Sequence, residues 1–184
     1  ALYDSTIPAF RELMQHLWRH SVATARLTEV LAPYFDMPST SSLFLRGLVH
    51  DLGKPILLHA ITVQSRGRVG RLESDWDLLL DTLDAFAPYA GLRVVQRWGL
   101  PVELGFAAFY SAEPGAAPGP YVRDAQIIAL ASAVAEESGY GVIGRTPAGA
   151  HALCAKFAPN LPLDQLDIIL ETAEFLIAPY LELA

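Results

Sequence analysis

Cysteine is almost absent. Cys154 is the single one among 184 residues, so no internal disulfide can form, and a reducing, cytoplasmic setting is the expectation. Long apolar runs are missing too. No stretch approaches the ~18 residues that cross a bilayer, and the opening "ALYDSTIPAFRELM" lacks the basic start and apolar block of a signal peptide. No membrane association is expected. The chain also has no initiating methionine, which points to a piece of a longer protein. Positive charge is scarce: 13 Lys and Arg stand against 20 Asp and Glu, a net charge of −7. Such a surface does not attract phosphate backbones, so no nucleic-acid partner is expected. The local exception is "SRGRVGR", where Arg66, Arg68 and Arg71 form either a solvated basic turn or the edge of a pocket for an anion.

Hydrophobic residues, by contrast, make up 52% of the chain. That is enough for a sizeable core, and the length suits one domain spanning 1–184. The punctuation is helical throughout, with no sustained strand alternation and no repeat. Pro8 fits a first helical turn, and the chain then runs without a breaker to Pro33. "STSS" offers capping oxygens for "LFLRGLVHDL", and Gly53 can stop that helix. Ser74 is placed to cap "DWDLLLDTLDAFA", and Pro88 to open a separate helix that Gly99 and Pro101 close. After the loop "AEPGAAPGP" come three more helical stretches, ending in "LDQLDIILETAEFLIAPYLELA". The fold class expected is all-α.

Chemistry concentrates in "GLVHDLGKPILL". Adjacent helical residues point about 100° apart, so His50 and Asp51 reach one ion only where it sits beside a helix end. Imidazole and carboxylate suit a divalent cation, and Lys54 nearby could attract a phosphate. The alternative is a hydrogen-bonded histidine beside a capping or exposed aspartate. His20 is the next candidate; it shares an i, i+4 face with His16, a spacing that metal-binding helices use but that is usually incidental. His59 and His151 have no partner at ligand spacing, and Cys154 reads as a small core residue. Ser111 and Ser132 lack the Gly-x-Ser-x-Gly elbow of a hydrolase.

Three blocks, "LWRHSVATA", "FLRGLVHDLGKPIL" and "GLRVVQRWGLPVEL", resemble in order and spacing the HDOD family, a branch of the HD metal-dependent phosphohydrolase superfamily found in bacterial signalling proteins. The closing "LPLDQLDIILETAEFL" is similar to that family's last helix. The resemblance implies an HD-domain-like helical bundle. It also implies a divalent metal held by a histidine, a His-Asp dyad and a later aspartate, which activates a water against a phosphate ester. Position by position, the first histidine matches His20, the dyad His50 and Asp51, and a phosphate-contacting lysine Lys54.

Against the same pattern, Ala87 stands where many relatives carry a histidine, Ser111 and Ala112 where they carry a His-His pair, and Ser132 where they carry the terminal aspartate. Serine is a neutral ligand and does not offset an ion's charge. Asp124 lies eight residues from Ser132, ~12 Å along a helix, too far for a simple exchange; Asp84, one turn from Ala87, is closer. No cofactor is the first expectation; at most, His20, His50 and Asp51 could hold one metal (Mn, Fe, Zn or Ni), weakly, with waters completing the shell. Complete family members resemble this chain preceded by another helical bundle. A mean hydropathy of +0.30 fits a piece that expects such a neighbour or a second copy of itself. The resemblance thus implies a signalling output or scaffold module without turnover, working through partner proteins, fused domains or a small phosphorylated ligand. A metal-dependent phosphohydrolase of a nucleotide or cyclic dinucleotide is the alternative, and a purely structural helical domain the second.

Overall fold

The computed structural model describes residues 8–38, 41–64, 75–142 and 144–182, and among these the fold is all-α with no strand. Helix α1 (Pro8–Leu31) is followed by a 3₁₀ turn, Ala32–Phe35. Then come α2 (Ser41–Val49), α3 (Gly53–Gln64), α4 (Trp76–Arg97) and α5 (Val102–Tyr110). Helix α6 (Val122–Ala135) runs into a π-helical turn, Glu136–Tyr140, and α7 (Ala150–Phe157) and α8 (Leu163–Leu181) complete the bundle. No helix among the described residues is long and apolar enough to cross a membrane.

Helix α1 is the spine, and its two halves serve different cores. Phe10, Leu13, Met14 and Leu17 pack with Leu58 of α3 and with Leu79, Leu80 and Leu83 of α4. Leu27 and Leu31, further along, join Ile127, Ile128 and Val134 of α6 and Ile169 and Ile177 of α8. His20 falls between the two cores. Each large aliphatic side chain buried here contributes about 1.5–3 kcal/mol, and the two apolar cores flank the polar centre on either side.

Two glycines set the helix spacing around that centre. A Cβ on Gly47 would come within 2.7 Å of the Ala25 Cα, so only glycine lets α2 lie this close to α1. A Cβ on Gly53 would overlap the Ala87 carbonyl, so the start of α3 rests directly on the backbone of α4. Gly53 therefore opens α3 instead of stopping α2, which ends at Val49 and leaves His50 to Leu52 in a tight turn.

Two other boundaries differ from those expected. Helix α4 continues through Pro88: the ring removes one backbone bond, but buried Leu83, Ala87, Gly91 and Val95 along the same helix keep it continuous. Its cap is Asp75, whose Oδ1 accepts the Leu78 N–H at 3.1 Å. Ser74, Ser39, Thr40, Arg66, Arg68 and Arg71 lie outside the described residues.

Candidate metal and ligand site

The close contact at Gly47 brings the end of α2 against the middle of α1, and so His50 against His20. Each ring is fixed from behind by backbone. The His20 Nδ1–H donates to the Tyr140 carbonyl at 3.0 Å, and the His50 Nδ1–H to the Gly47 carbonyl at 2.7 Å. A carbonyl only accepts, so both Nδ1 atoms carry the proton. The π-helical turn, with Gly139 at φ +87°, is what presents the Tyr140 carbonyl to α1; such turns recur at functional sites.

Both Nε2 atoms are then acceptors, and they face each other at 3.2 Å. Two lone pairs that close repel each other, and a cation held by both would relieve the repulsion. A proton does not serve at neutral pH, because burial, and after it the neighbouring His50, lowers the His20 pKa to about 3, and burial lowers that of His50. Asp51 completes the group: one ligand atom from each of His20, His50 and Asp51 lies within 4.8 Å of the others. Asp51 hydrogen-bonds neither ring; its Oδ2 is 3.9 Å from His50 Nε2. Two imidazoles locked in one tautomer by backbone acceptors, plus a carboxylate, fit a divalent ion.

A fourth group approaches from α6. The Ser132 hydroxyl donates to His20 Nε2 at 3.2 Å, so the serine reaches the same nitrogen that faces His50. Asp51 meanwhile has a resident cation. Lys54 Nζ is 2.8 Å from Asp51 Oδ2 and 3.1 Å from Asp84 Oδ1. Burial pushes the Asp51 carboxyl up and Lys54 down, but each is overruled by the other: Asp51 stays well below the usual carboxylate range and Lys54 above the usual amine range.

These side chains form the floor of a cavity of about 780 Å³. Leu13, Leu17, Leu80, Leu83 and Phe157 give it apolar walls, and the segments 111–116 and 145–148 reach its lip. The second segment belongs to a strap between α6 and α7, turned at Gly144 (φ +85°) and Gly149 (φ +80°). Four contacts fasten it. Arg145 Nη2 pairs with Asp81 at 2.8 Å and with Asp84 Oδ2 at 2.7 Å. Glu136 Oε2 accepts the Ala148 N–H at 2.9 Å, and Glu137 Oε1 accepts the Ala150 N–H at 2.6 Å.

The structure gathers His20, His50, Asp51 and Lys54 as the sequence suggested, and leaves the other histidines out. His16 is half-buried and outside the ligand group, His59 is exposed, and His151 pairs with Asp167 at the surface at 2.8 Å. Cys154 is a core residue, its Sγ near the Ala158 and Leu161 carbonyls. Asp124 pairs with Arg46 at 2.9 Å and does not line the cavity. Asp84 does line it, but spends its oxygens on Lys54 and Arg145. Ser111 and Ala112 lie on the lip, while Ala87 is buried against Gly53.

Two residues at the site were not foreseen. Glu136 follows Ser132 by one turn on the same face, a spacing readable from sequence. Arg145 comes from a loop, and no local signal marks it.

A family model described as HDOD domain matches residues 4–114. The match takes in His20, His50, Asp51, Lys54, Ser111 and Ala112; Ser132, Glu136, Arg145 and the last helix lie beyond it. No curated protein and no solved structure matches the chain.

Proposed function

The chain belongs to the HDOD family, and on that premise we propose a regulatory signalling module that holds one divalent ion weakly and does not turn over a phosphate ester. The observation that carries this reading is the Ser132 hydroxyl on His20 Nε2: a neutral group stands where hydrolytic relatives would need a carboxylate. His20, His50 and Asp51 would hold the ion, whose chemistry when bound is to polarise a phosphoryl oxygen or acidify a water. The chain's own residues work against turnover. Lys54 competes for Asp51 from 2.8 Å, Ser132 adds no charge, and Ser111 and Ala112 offer no imidazole for a second ion.

A module of this kind acts through what it contacts. Large apolar side chains left exposed, among them Phe86, Tyr89, Trp98 and Phe175, support a role exercised through signalling proteins, fused domains or a second copy of the chain. The cavity supports a small phosphorylated ligand as well.

The test is hydrolysis of 4-nitrophenyl phosphate and its bis ester, with Mn or Zn added. The reading expects no rate above buffer. Metal-dependent release that disappears in His50→Ala would establish the phosphohydrolase instead, a second reading favoured by the way the cavity opens onto Asp51 and Lys54.

A further inference from the structure

Two cations from distant parts of the chain converge on one carboxylate inside the cavity. Lys54 leads in from the start of α3 and Arg145 from the strap. Asp84 gives each of them a different oxygen, Oδ1 to Lys54 and Oδ2 to Arg145. A carboxylate bridging two cations this way has the shape and charge pattern of part of a phosphoryl group. Asp84 is also poorly anchored for such a central position, with its side chain 46% exposed. Its ion pairs therefore hold it only lightly, and it can swing out to water at little cost.

The donors are not all used. An ammonium has three, and two of those on Lys54 are spent on Asp51 and Asp84. Arg145 Nε is buried and has no acceptor among the described residues. A further acceptor is what the site lacks, and a phosphate dianion brings more acceptors and more charge than the carboxylate it would replace. Next to this polar corner the apolar walls at Leu13, Leu17, Leu80, Leu83 and Phe157 give room for an apolar or aromatic group.

We propose that Lys54 and Arg145 form a phosphoryl-binding subsite held in reserve by the Asp84 carboxylate, and that its ligand is a phosphomonoester with an apolar or aromatic portion. The proposal rests on reading the cavity as the ligand site of a non-hydrolytic module, and it adds Arg145 and Asp84 to that site. Asp84 acts as an internal competitor: ligand and carboxylate exclude each other, while Asp81, the second partner of Arg145 at 2.8 Å, stays paired with it in either state.

Calorimetric titration of the chain, freed of metal with a chelator, with phenyl phosphate in one arm and inorganic phosphate in the other tests this. Arg145→Gln should weaken phenyl phosphate about tenfold or more, through loss of a charge-assisted contact. Asp84→Asn should tighten it several-fold, because the competitor is gone. A structural ion pair would move both variants the same way or neither. Tighter binding of phenyl phosphate than of phosphate assigns the ligand to the ester class; the reverse order overturns that assignment. No binding by an Asp84→Asn variant that circular dichroism shows to be folded, or shifts of the same sign in both variants, overturns the subsite. Phosphate release measured on the same samples judges the non-hydrolytic reading separately.

Discussion

At the inner end of the cavity, His20 and His50 are buried and each is pinned through Nδ1 to a backbone carbonyl; beside them, Lys54, Asp84, Arg145 and Asp81 form a chain of ion pairs that runs from the floor out to solvent. The first arrangement inherits its precision from helix packing, since Gly47 against Ala25 decides where His50 lies. The second is a chain of interchangeable charges. The two ends are fixed by different forces, so one can be altered by mutation without the other. The family match, residues 4–114, takes in His20, His50 and Asp51 and also Lys54, Asp81 and Asp84; Ser132 and Arg145 lie beyond it.

The contrast can be broken most forcefully from the packing side. Gly47→Ala pushes a methyl group to within 2.7 Å of the Ala25 Cα. It should cost about 2–3 kcal/mol by overpacking, read by denaturant unfolding, and should weaken metal binding although it removes no ligand. Unchanged metal affinity would mean that α2 is not what positions His50.

Next comes the effect of pH on the metal-free protein. Both histidines have lowered folded-state pKa values, so below their ordinary value near 6.5 the unfolded chain binds protons that the folded chain does not. Stability should be flat above that pH and fall as pH drops toward about 3, by about 1.4 kcal/mol per unit for His20, with His50 adding a loss of the same sign. Unfolding curves at a series of pH values would show it, and a flat profile down to pH 4 would mean the rings are protonated in the fold.

Ser132→Asp should tighten Mn or Zn by about tenfold by adding a charged oxygen beside His20 Nε2, measured by calorimetry. An unchanged affinity would place residue 132 outside the metal's reach. The smallest effect is expected at the lip. Glu136→Gln weakens one charge-assisted bond to the Ala148 N–H and should lower stability by about 0.5–1 kcal/mol, with metal affinity unaltered.

Local chemistry made much of the fold legible. Gly99 and Pro101 mark real helix boundaries, and the missing alternation agrees with the absence of strands among the described residues. Pro88 misleads because tertiary packing of Leu83, Ala87 and Gly91 outweighs one lost hydrogen bond, and Gly53 because its role is close approach to α4 and not termination. At the site, His20, His50, Asp51 and Lys54 were recognisable from their family spacing. The tautomers were not, since Tyr140 lies 120 residues from His20. Arg145 was invisible for the same reason: a loop arginine acquires meaning only when folding brings Asp84 and Lys54 beside it.

The central claim is that the inner half remains a single-ion site. It is tested most directly by titrating metal-free protein with Mn or Zn in a calorimeter, with His50→Ala alongside. The account expects weak, saturable uptake of one ion per chain, reduced by about 100-fold or more in the variant, as loss of a ligand should do at least as much as loss of a supporting contact. No uptake, or uptake that His50→Ala leaves unchanged, would contradict it.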